Sequence, residues 1–472
     1  MSKVSVKSEI GKLEKVIVHK PGHEIELMTP DTAVDLLFDD ILDLHTAARE
    51  HDEFTNILKL HSKVFEINDL LVDLLKNETH RERLIKSLIS ERIEKSQSEI
   101  SATGVECIHA IPTKDIPPKF NVLQTAEGNS ASYSASYISL EPPLTKGGTS
   151  ALSMMESQMD ALMQLDENDL AEMLIIGSEN GTYSKKNKSF KPDYFFPPLP
   201  NLFYTRDTSV VINNYVLSGI MANSIRFSEA TIMRYILRNH PEFTSDGFYF
   251  EDISELHENS KFEGGDILVI REDVLAIGLS ERTTQQAVIQ LVEKLKLKGD
   301  IKHVFTVILP QKRAMIHLDM VFTMLDHNFA CIYEPVILGE LNIGVTHIDI
   351  SGKTNIFNSV PNLLAGLKMI GIEVEPIFCG GKNRINQERE QWMCGANFFA
   401  LAPGKIIGYA RSFNTFLELE KIANIPRIEA ADVLNGKINL NDYDRYAIAF
   451  RGAELSRGGG GARCMTLPVL RI

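Results

Sequence analysis

Basic residues are in short supply in this sequence. Lys and Arg together number 49 against 63 Asp and Glu, which gives the 472-residue chain a formal net charge of -14. Nucleic acids and anionic membranes are bound through basic surfaces, so this balance argues against either as a partner. It is compatible with a small cationic substrate, although an acidic surface also helps to keep any protein in solution.

Cysteine is scarce too, and its few copies do not form pairs. The five cysteines are Cys107, Cys331, Cys379, Cys394 and Cys464. No two have the spacing of a zinc site or a CxxC motif, and an odd number does not suggest a disulfide framework. The N-terminal residues lack the apolar core of a signal peptide, and no apolar run approaches the length of a membrane span. These absences predict reduced thiols and a cytoplasmic protein.

The first 200 residues contain one strand signal followed by the periodicity of helices. The strand is predicted over residues 12–19. Helices are predicted over residues 40–63, 68–76, 78–96, 151–165 and 167–176. Residues 130–150 are rich in Ser, Gly and Pro and residues 177–192 are polar, so both stretches are predicted to be loops. We therefore predict a mainly helical insertion with Ser/Gly/Pro-rich loops over residues 66–194, within a catalytic domain formed by residues 1–65 and 195–472.

Beyond residue 200 the chain repeats itself. Each unit consists of a polar residue, a strand, a tight turn, a second strand and usually a helix. The leading residues are Asp207, Asp266, Asp319, Asn397 and Cys464. Self-similarity at a period of roughly 50 to 80 residues predicts a repeat architecture built from supersecondary units. If every unit presents its leading residue in the same way, these side chains converge on one axis.

The leading residues bring a thiol, carboxylates and a nearby imidazole together. A thiolate among such groups favours covalent catalysis at an electron-poor carbon. Carboxylates near a thiol raise its pKa unless a cation offsets them, and a positively charged substrate supplies that cation. A guanidinium is planar and donates pairs of N–H bonds to carboxylates. We therefore expect Asp207 and Asp319 to hold a guanidinium while Cys464 attacks its central carbon.

Three further roles follow from the same pattern. His317 could protonate departing ammonia and then activate water, with Glu263 accepting a hydrogen bond from the imidazole. Arg226 and Arg282 each follow the second strand of a repeat unit. They could grip an α-carboxylate, or they could be surface charges at the start of a helix, and the sequence leaves both interpretations open.

Motifs spread along most of the chain carry a resemblance to a known family. They read LMTPDTAVDLLFDDI, PNLFYTRD, FEGGDILVI, GLSERT, MIHLDMVFTMLD, EREQW and ELSRGGGGARCM. With these motifs the chain resembles the arginine deiminases, whose fold is the pentein fold, a five-bladed α/β propeller of repeated ββαβ units with an inserted helical domain. The resemblance implies hydrolysis of L-arginine to L-citrulline and ammonia through a covalent Cys-amidino (thiouronium) intermediate, with no metal or organic cofactor. A homo-oligomer is compatible with it.

The resemblance also assigns roles to residues of this sequence. It implies Cys464 as nucleophile, His317 and Glu263 as the acid/base pair, and Asp207 and Asp319 as guanidinium ligands. The remaining substrate-binding residues that it implies are Asn201, Tyr204, Arg226, Arg282 and Asp266. Tyr204 would form a wall of the pocket, where the family usually has Phe.

The sequence departs from the family in the glycine run before the nucleophile. Gly459 stands where the family usually has an arginine, and Arg463 stands where some members have His. A fixed cation at Arg463 is expected to help keep the thiolate at neutral pH. Three alternatives remain at this point: transfer of the amidino group to an amine, an arginine-binding protein without turnover, and a metal site. The metal ligands would be Glu263, Asp266, His317 and Asp319.

Overall fold

The computed structural model describes residues 4–103, 159–177, 179–184, 189–194, 196–257 and 259–472. The loop predicted over residues 130–150 lies outside the described residues, as does Cys107. The helix predicted over residues 151–165 is described only from residue 159, and residues 159–163 are helical. No helix among the described residues is long and apolar enough to cross a membrane.

Most strands are short and come in pairs. They are β1 (Leu13–Val18), β2 (Lys63–Glu66), β3 (Glu179–Ser184), β4 (Ser189–Tyr194), β5 (Ser209–Ile212), β6 (Tyr215–Ser218), β7 (Ile267–Arg271), β8 (Val274–Leu279), β9 (His303–Ile308), β10 (Phe322–Asp326), β11 (Phe329–Ile332), β12 (Val345–Asp349), β13 (Ile356–Val360), β14 (Glu375–Phe378), β15 (Phe399–Ala402), β16 (Lys405–Tyr409), β17 (Arg427–Glu429), β18 (Tyr446–Phe450) and β19 (Leu467–Arg471).

Helices separate these pairs along the chain. They are α1 (Leu44–His61), α2 (Ile67–Leu75), α3 (Glu78–Thr103), α4 (Glu167–Ile176), α5 (Phe227–Asn239), α6 (Gln285–Lys298), α7 (Glu334–Ile337), α8 (Leu363–Met369), α9 (Arg384–Trp392), α10 (Phe413–Ala423) and α11 (Ala430–Leu434).

The strands form five small sheets that share one pattern, in addition to the β3–β4 hairpin. An antiparallel pair comes first, as in β7–β8, β10–β11 and β15–β16, and a strand parallel to the second member follows after intervening helix, as in β9, β14 and β18. The pair β5–β6 gains an isolated parallel bridge between Val216 and Phe248 after α5. The last sheet is made by β19 antiparallel to β1, with β2 parallel to β1. The chain therefore has an α/β fold with a repeated unit.

Three predictions about secondary structure are wrong. Residues 179–184 and 189–194 form the antiparallel strands β3 and β4 rather than a loop, because these stretches contain β-forming Thr, Tyr and Phe residues that outweigh their polar composition. The helix predicted to residue 63 ends at His61, and residues 63–66 pair with β1 because Ser62 adopts an extended backbone. The second strand of the third unit, predicted over residues 329–337 from the sequence FACIYEPVI, ends at Ile332, since Pro335 cannot donate to a ladder and suits the first turn of α7.

Helix α1 fixes the entrance of a loop of four glycines, which we call the glycine loop (residues 456–462). The buried carboxylate of Glu50 accepts hydrogen bonds from the backbone N–H groups of Ala453, Glu454 and Leu455, at 3.0, 2.9 and 3.0 Å. Buried N–H groups that lose an acceptor are costly. The glycine loop is thus anchored at its start by a residue about 400 positions earlier in the sequence.

We expect Glu50→Ala to lower the free energy of unfolding by about 3 kcal/mol, because it leaves these N–H groups without a charged acceptor. Denaturant unfolding measures this change. Asp52→Ala is the matched control on the same helix; it removes only an exposed pair with Lys20 and should cost less than about 0.5 kcal/mol. Equal effects of the two substitutions would show that Glu50 does not anchor the loop.

Candidate active site

The carboxylates that lead the first three repeat units lie on short turns that pack against one another. Asp207, Asp266 and Asp319 belong to the 3-10 turns Thr205–Thr208, Gly264–Asp266 and Leu318–Met320, each directly before a strand pair. The backbone N–H of Leu318 donates to the Asp266 carboxylate at 2.9 Å. The turns thus bring side chains from distant positions in the sequence to one place.

The packing of these turns requires glycine at Gly265. A Cβ atom at this position would lie 2.6 Å from Nδ1 of His317, closer than nonbonded atoms approach. The Glu-Gly-Gly-Asp motif therefore allows the backbone before β7 to pass directly beside the imidazole.

Cys464 sits at the head of the last strand and is 4% exposed. Its backbone N–H and that of Arg463 both donate to Oδ1 of Asn397, at 3.2 and 2.9 Å. Its Sγ lies 3.5 Å from the same Oδ1 and 3.8 Å from Oδ2 of Asp319. Asn397 also donates to the Asp319 carbonyl at 3.0 Å. Asn397 leads the fourth unit, yet the sequence alone gave no role for it in holding the nucleophile.

His317 pairs with two carboxylates. Its Nε2 is 3.0 Å from Oε2 of Glu263, and its Nδ1 is 3.6 Å from Oδ1 of Asp207. Burial opposes protonation of the imidazole, but the Asp207 charge and the hydrogen bond to Glu263 outweigh it and raise the pKa of His317 to about 9. Burial likewise opposes ionisation of Glu263, and the hydrogen bond to His317 with the Arg282 charge lowers its pKa to about 2. The pair is an imidazolium and a carboxylate at neutral pH.

Arg226 is buried between carboxylates and is 3% exposed. Its Nη1 donates to Oδ2 of Asp207 at 2.6 Å, and its Nε donates to Oε2 of Glu229 at 2.7 Å. Arg282 is 7% exposed, and its Nη1 lies 3.4 Å from Oε1 of Glu263. The interpretation of both arginines as surface charges at a helix start is therefore wrong, because neither side chain reaches the surface.

Arg463 forms ion pairs with two carboxylates and makes no contact of this kind with the thiol. Its Nη1 donates to Oδ2 of Asp319 at 2.7 Å, and its Nε and Nη2 donate to Glu9, each at 3.0 Å. Burial opposes ionisation of Glu9, but Arg463 outweighs it and lowers the pKa of Glu9 to about 2. Glu9 is a member of this network that no sequence pattern indicated.

The thiol of Cys464 is not ionised by this environment. Burial raises its pKa well above the ordinary value, and the carboxylates of Asp319 and Asp207 raise it further. The expectation that Arg463 keeps a thiolate is wrong, because its charge is neutralised by Glu9 and Asp319. The carboxylates raise the thiol pKa, as predicted from the sequence.

The thiol faces a narrow cavity of about 20 Å³, room for about one water molecule. The cavity is lined by Leu37, Asn201, Tyr204, Asp207, Arg226, Arg282, Arg313, Ile316, His317, Gly458, Gly459, Gly460 and Cys464. A ligand larger than water can enter only after some of these residues move apart.

Three predicted site residues do not line this cavity. Glu263 lies behind His317, and Asp319 lies beside the Cys464 sulfur. Asp266 is fully buried and accepts hydrogen bonds from Ser280 and from the Leu318 backbone. Asp266 thus supports the turn that carries His317, and its predicted role as a substrate ligand stays a prediction.

Arg313 is a cavity residue that no sequence pattern indicates. Its Nε donates to Asp39 at 2.7 Å and its Nη2 donates to the Leu37 carbonyl. A Cβ atom at Gly459 would lie 3.3 Å from Nη2 of Arg313. Gly459 also has a φ of +88°, a left-handed conformation that favours glycine. The space beside Gly459 is therefore already occupied by a guanidinium from another segment.

One group of side chains among the described residues could offer three ligand atoms to a metal ion. Asp207, Glu263 and His317 present atoms within 4.8 Å of one another. Arg226 already lies 2.6 Å from Asp207 and 3.9 Å from Glu263. A metal ion would have to share these carboxylates with a buried guanidinium, so the donor set suits the arginine better than a second cation.

Comparisons with known proteins point to one family. A family model described as arginine deiminase matches residues 34–114 and 138–471. The arginine deiminase of Treponema denticola is 32% identical over 482 residues, which cover 100% of this chain and 99% of that protein. The arginine deiminase of Listeria innocua is 30% identical over 483 residues, covering 99% and 98%.

Solved structures with a similar course of the chain have much lower identity. SxtG, an amidinotransferase from Microseira wollei, covers 99% of this chain and 97% of its own with 14% identity and a TM-score of 0.47. A dimethylarginine dimethylaminohydrolase adduct covers 96% and 99% with 13% identity and a TM-score of 0.44.

We expect Glu263→Gln to lower the pKa of His317 from about 9 toward the ordinary value, because the imidazolium loses the charge of its hydrogen-bonding partner. A histidine NMR titration of protein labelled at its imidazole carbons measures the midpoint. Glu272→Gln, which changes an exposed carboxylate paired with Lys7, is the matched control and should leave the midpoint unchanged. An unchanged midpoint in Glu263→Gln would rule out this carboxylate as the stabilising partner.

Proposed function

This chain belongs to the arginine deiminase family, and we propose that it hydrolyses L-arginine to L-citrulline and ammonia through a covalent amidino intermediate on Cys464. The observation that carries the proposal is the meeting of this thiol with a protonated imidazole and the Asp207 carboxylate around one cavity, with the buried Asp319 carboxylate 3.8 Å from the sulfur. Cys464, His317, Asp207 and Asp319 are the proposed reacting and guanidinium-binding residues. The mechanism uses no metal ion or organic cofactor.

The two aspartates each have an oxygen available for the guanidinium. Oδ1 of Asp207 and Oδ1 of Asp319 are buried and have no hydrogen-bond partner among the described residues, while their Oδ2 atoms bind Arg226 and Arg463. Buried carboxylate oxygens without a donor are costly. A planar guanidinium offers N–H donors to both and would satisfy them on binding.

Binding of the guanidinium also activates the thiol. Its positive charge offsets Asp207 and Asp319, which raise the pKa of Cys464 in the empty cavity. Because His317 is already protonated, the thiol releases its proton to solvent, which returns it after the product has left, and the thiolate forms a bond from Sγ to the central carbon. The nucleophile is therefore formed in the presence of its cationic substrate.

His317 serves the two halves of the reaction in turn. As an imidazolium it protonates the departing nitrogen when the C–N bond breaks, which releases ammonia and leaves the amidino group on Sγ. The neutral imidazole then takes a proton from water, and the water oxygen bonds to the same carbon. The C–S bond breaks, citrulline leaves, the thiolate returns, and the second proton of water leaves with ammonia as ammonium. Glu263 stabilises the imidazolium state of His317.

The α-carboxylate end of the substrate would lie against two arginines and an asparagine. Arg226, Arg282 and Asn201 line the cavity and are the proposed ligands of the α-carboxylate. Arg282 has Glu263 as its ion-pair partner, at 3.4 Å, a longer contact than the 2.6 Å pair of Arg226 with Asp207. Arg282 is thus the arginine whose charge is less satisfied by the protein. Tyr204 forms a wall of the cavity.

The five sheets support a finer view of the fold. We propose that the ββαβ units close into a five-bladed propeller, since N-terminal residues pair with both the first and the last unit: Val6 with Asn213 and Ser5 with Leu470. Residues 1–65 and 195–472 are the proposed catalytic domain, and residues 66–194 the mainly helical insertion, whose helices α2, α3 and α4 share an apolar cluster with α5. A cytoplasmic location and a homo-oligomer remain predictions.

We expect Cys464→Ser to abolish citrulline formation while arginine still binds, because the hydroxyl is a far weaker nucleophile in the same geometry. A colorimetric ureido-product assay measures turnover, and calorimetry measures arginine binding. Cys331→Ser, at a buried cysteine outside the cavity, is the matched control and should keep its activity. Turnover of Cys464→Ser within about tenfold of the wild type would remove the covalent mechanism.

The same assay without any added amine distinguishes hydrolysis from amidino transfer, since a transferase would form product only when an acceptor amine is present.

We expect Arg282→Gln to raise KM for arginine by about tenfold or more with little change for agmatine, which lacks the α-carboxylate, because one charge-assisted contact is lost. Steady-state kinetics with both substrates measure the difference. Arg271→Gln, which changes an exposed arginine paired with Asp273, is the matched control. Equal losses for arginine and agmatine would mean that Arg282 acts on the reacting groups through Glu263 rather than on the carboxylate.

A further inference from the structure

The phenolic ring of Tyr204 lies against the glycine loop, and its hydroxyl ties two points of the loop region together. The hydroxyl donates to the Leu455 carbonyl at 3.3 Å and accepts from the Gly460 backbone N–H at 3.1 Å. Tyr204 is buried and lines the cavity in front of Cys464. We propose that this hydroxyl is a positioning group that holds the glycine loop closed over the nucleophile.

The shape of the loop is fitted to this ring. A Cβ atom at Gly458 would lie 2.3 Å from the Tyr204 hydroxyl oxygen, and one at Gly460 would lie 2.3 Å from a ring carbon. Real Cβ atoms do not approach so closely, so the backbone rests directly on the ring only because both positions are glycine. The glycines are therefore explained by contact with Tyr204 rather than by flexibility alone.

The two ends of the loop are held by other groups. Glu50 binds the N–H groups of residues 453–455, and Asn397 binds those of Arg463 and Cys464. Within the loop, the Tyr409 hydroxyl donates to the Gly460 carbonyl at 2.9 Å. Loss of the Tyr204 hydroxyl would thus loosen the middle of the loop, where the Tyr409 bond to Gly460 remains, and leave the ends of the loop and the nucleophile's backbone in place.

This middle part affects whether the cavity is accessible. Gly458, Gly459 and Gly460 form one side of the 20 Å³ cavity, so their displacement is one way to admit a reagent or substrate larger than water to Cys464. The two hydrogen bonds of the Tyr204 hydroxyl oppose that movement. The fraction of molecules with an open cavity then depends on this oxygen atom together with the Tyr409 hydroxyl, which donates to the Gly460 carbonyl. The inference rests on the proposed function only in taking Cys464 as the reacting residue.

Tyr204→Phe removes the hydroxyl and keeps the ring. The experiment follows alkylation of the full-length, ligand-free protein by iodoacetamide across pH, with the modified cysteines resolved by peptide mass spectrometry. We expect the plateau rate at Cys464 to rise about tenfold, since two hydrogen bonds that favour the closed loop are lost. The plateau reports access, whereas a changed thiol pKa would move the midpoint of the pH profile. Cys331 and Cys379, both buried outside the cavity, should label at unchanged rates.

Tyr249→Phe is the matched control, because the Tyr249 hydroxyl is buried and has no hydrogen-bond partner among the described residues. It should leave the plateau rate at Cys464 as in the wild type. An unchanged plateau in Tyr204→Phe overturns the proposal, and so does a parallel rise at Cys331 and Cys379, which would indicate general loosening. The labelling does not depend on turnover, so a failure to hydrolyse arginine would leave this result intact and would count only against the proposed function.

Discussion

The thiol lies among buried carboxylates whose charge is balanced by buried arginines. The balance is incomplete, because each arginine binds one carboxylate oxygen and leaves the other without a hydrogen-bond donor in the described part of the chain. Arg226 satisfies one oxygen of Asp207 and Arg463 one oxygen of Asp319, and in each case the second oxygen has no hydrogen-bond partner among the described residues. An unpaired charge in this interior would be too costly to keep, and a fully satisfied one would have no affinity left for a ligand. The half-satisfied aspartates therefore keep the site both foldable and able to bind a planar cation.

This balance also determines when the nucleophile is formed. The same carboxylates that attract a cation raise the pKa of Cys464, so the empty site holds a thiol. A neutral ligand of the same shape would leave the carboxylate charges in place and would not ionise the sulfur. The negative charge of the carboxylates thus favours a cation twice, first when the ligand binds and again when the thiol ionises. His317 is the complementary case, because Asp207 and Glu263 favour its charged form.

Local sequence patterns could predict the side chains that lead the repeat units, but not the charged residues that pair with them or line the cavity beside them. Asp207 and Asp319 each precede an apolar strand pair and Cys464 precedes a single apolar strand, and this repetition is what predicts that the three side chains lie together. Glu9 lies 454 positions before Arg463, and Arg313 belongs to a turn with no regular pattern, so neither contact leaves a periodic signal. The role expected for Arg463 was wrong for the same reason, since adjacency in sequence to Cys464 says nothing of a carboxylate brought in by the N-terminal segment.

Two of the departures from the family pattern, Gly459 and Tyr204, belong to one packing arrangement. A side chain at position 459 would start 3.3 Å from the Arg313 guanidinium, so an arginine there would bring two cations together at the cavity. With glycine at that position, Arg313 supplies the cation from outside the loop, and the loop can lie flat on the Tyr204 ring. The tyrosine hydroxyl then provides hydrogen bonds that phenylalanine could not make. The loop in this chain is thus held by groups of the surrounding domain instead of carrying its own charged side chain into the site.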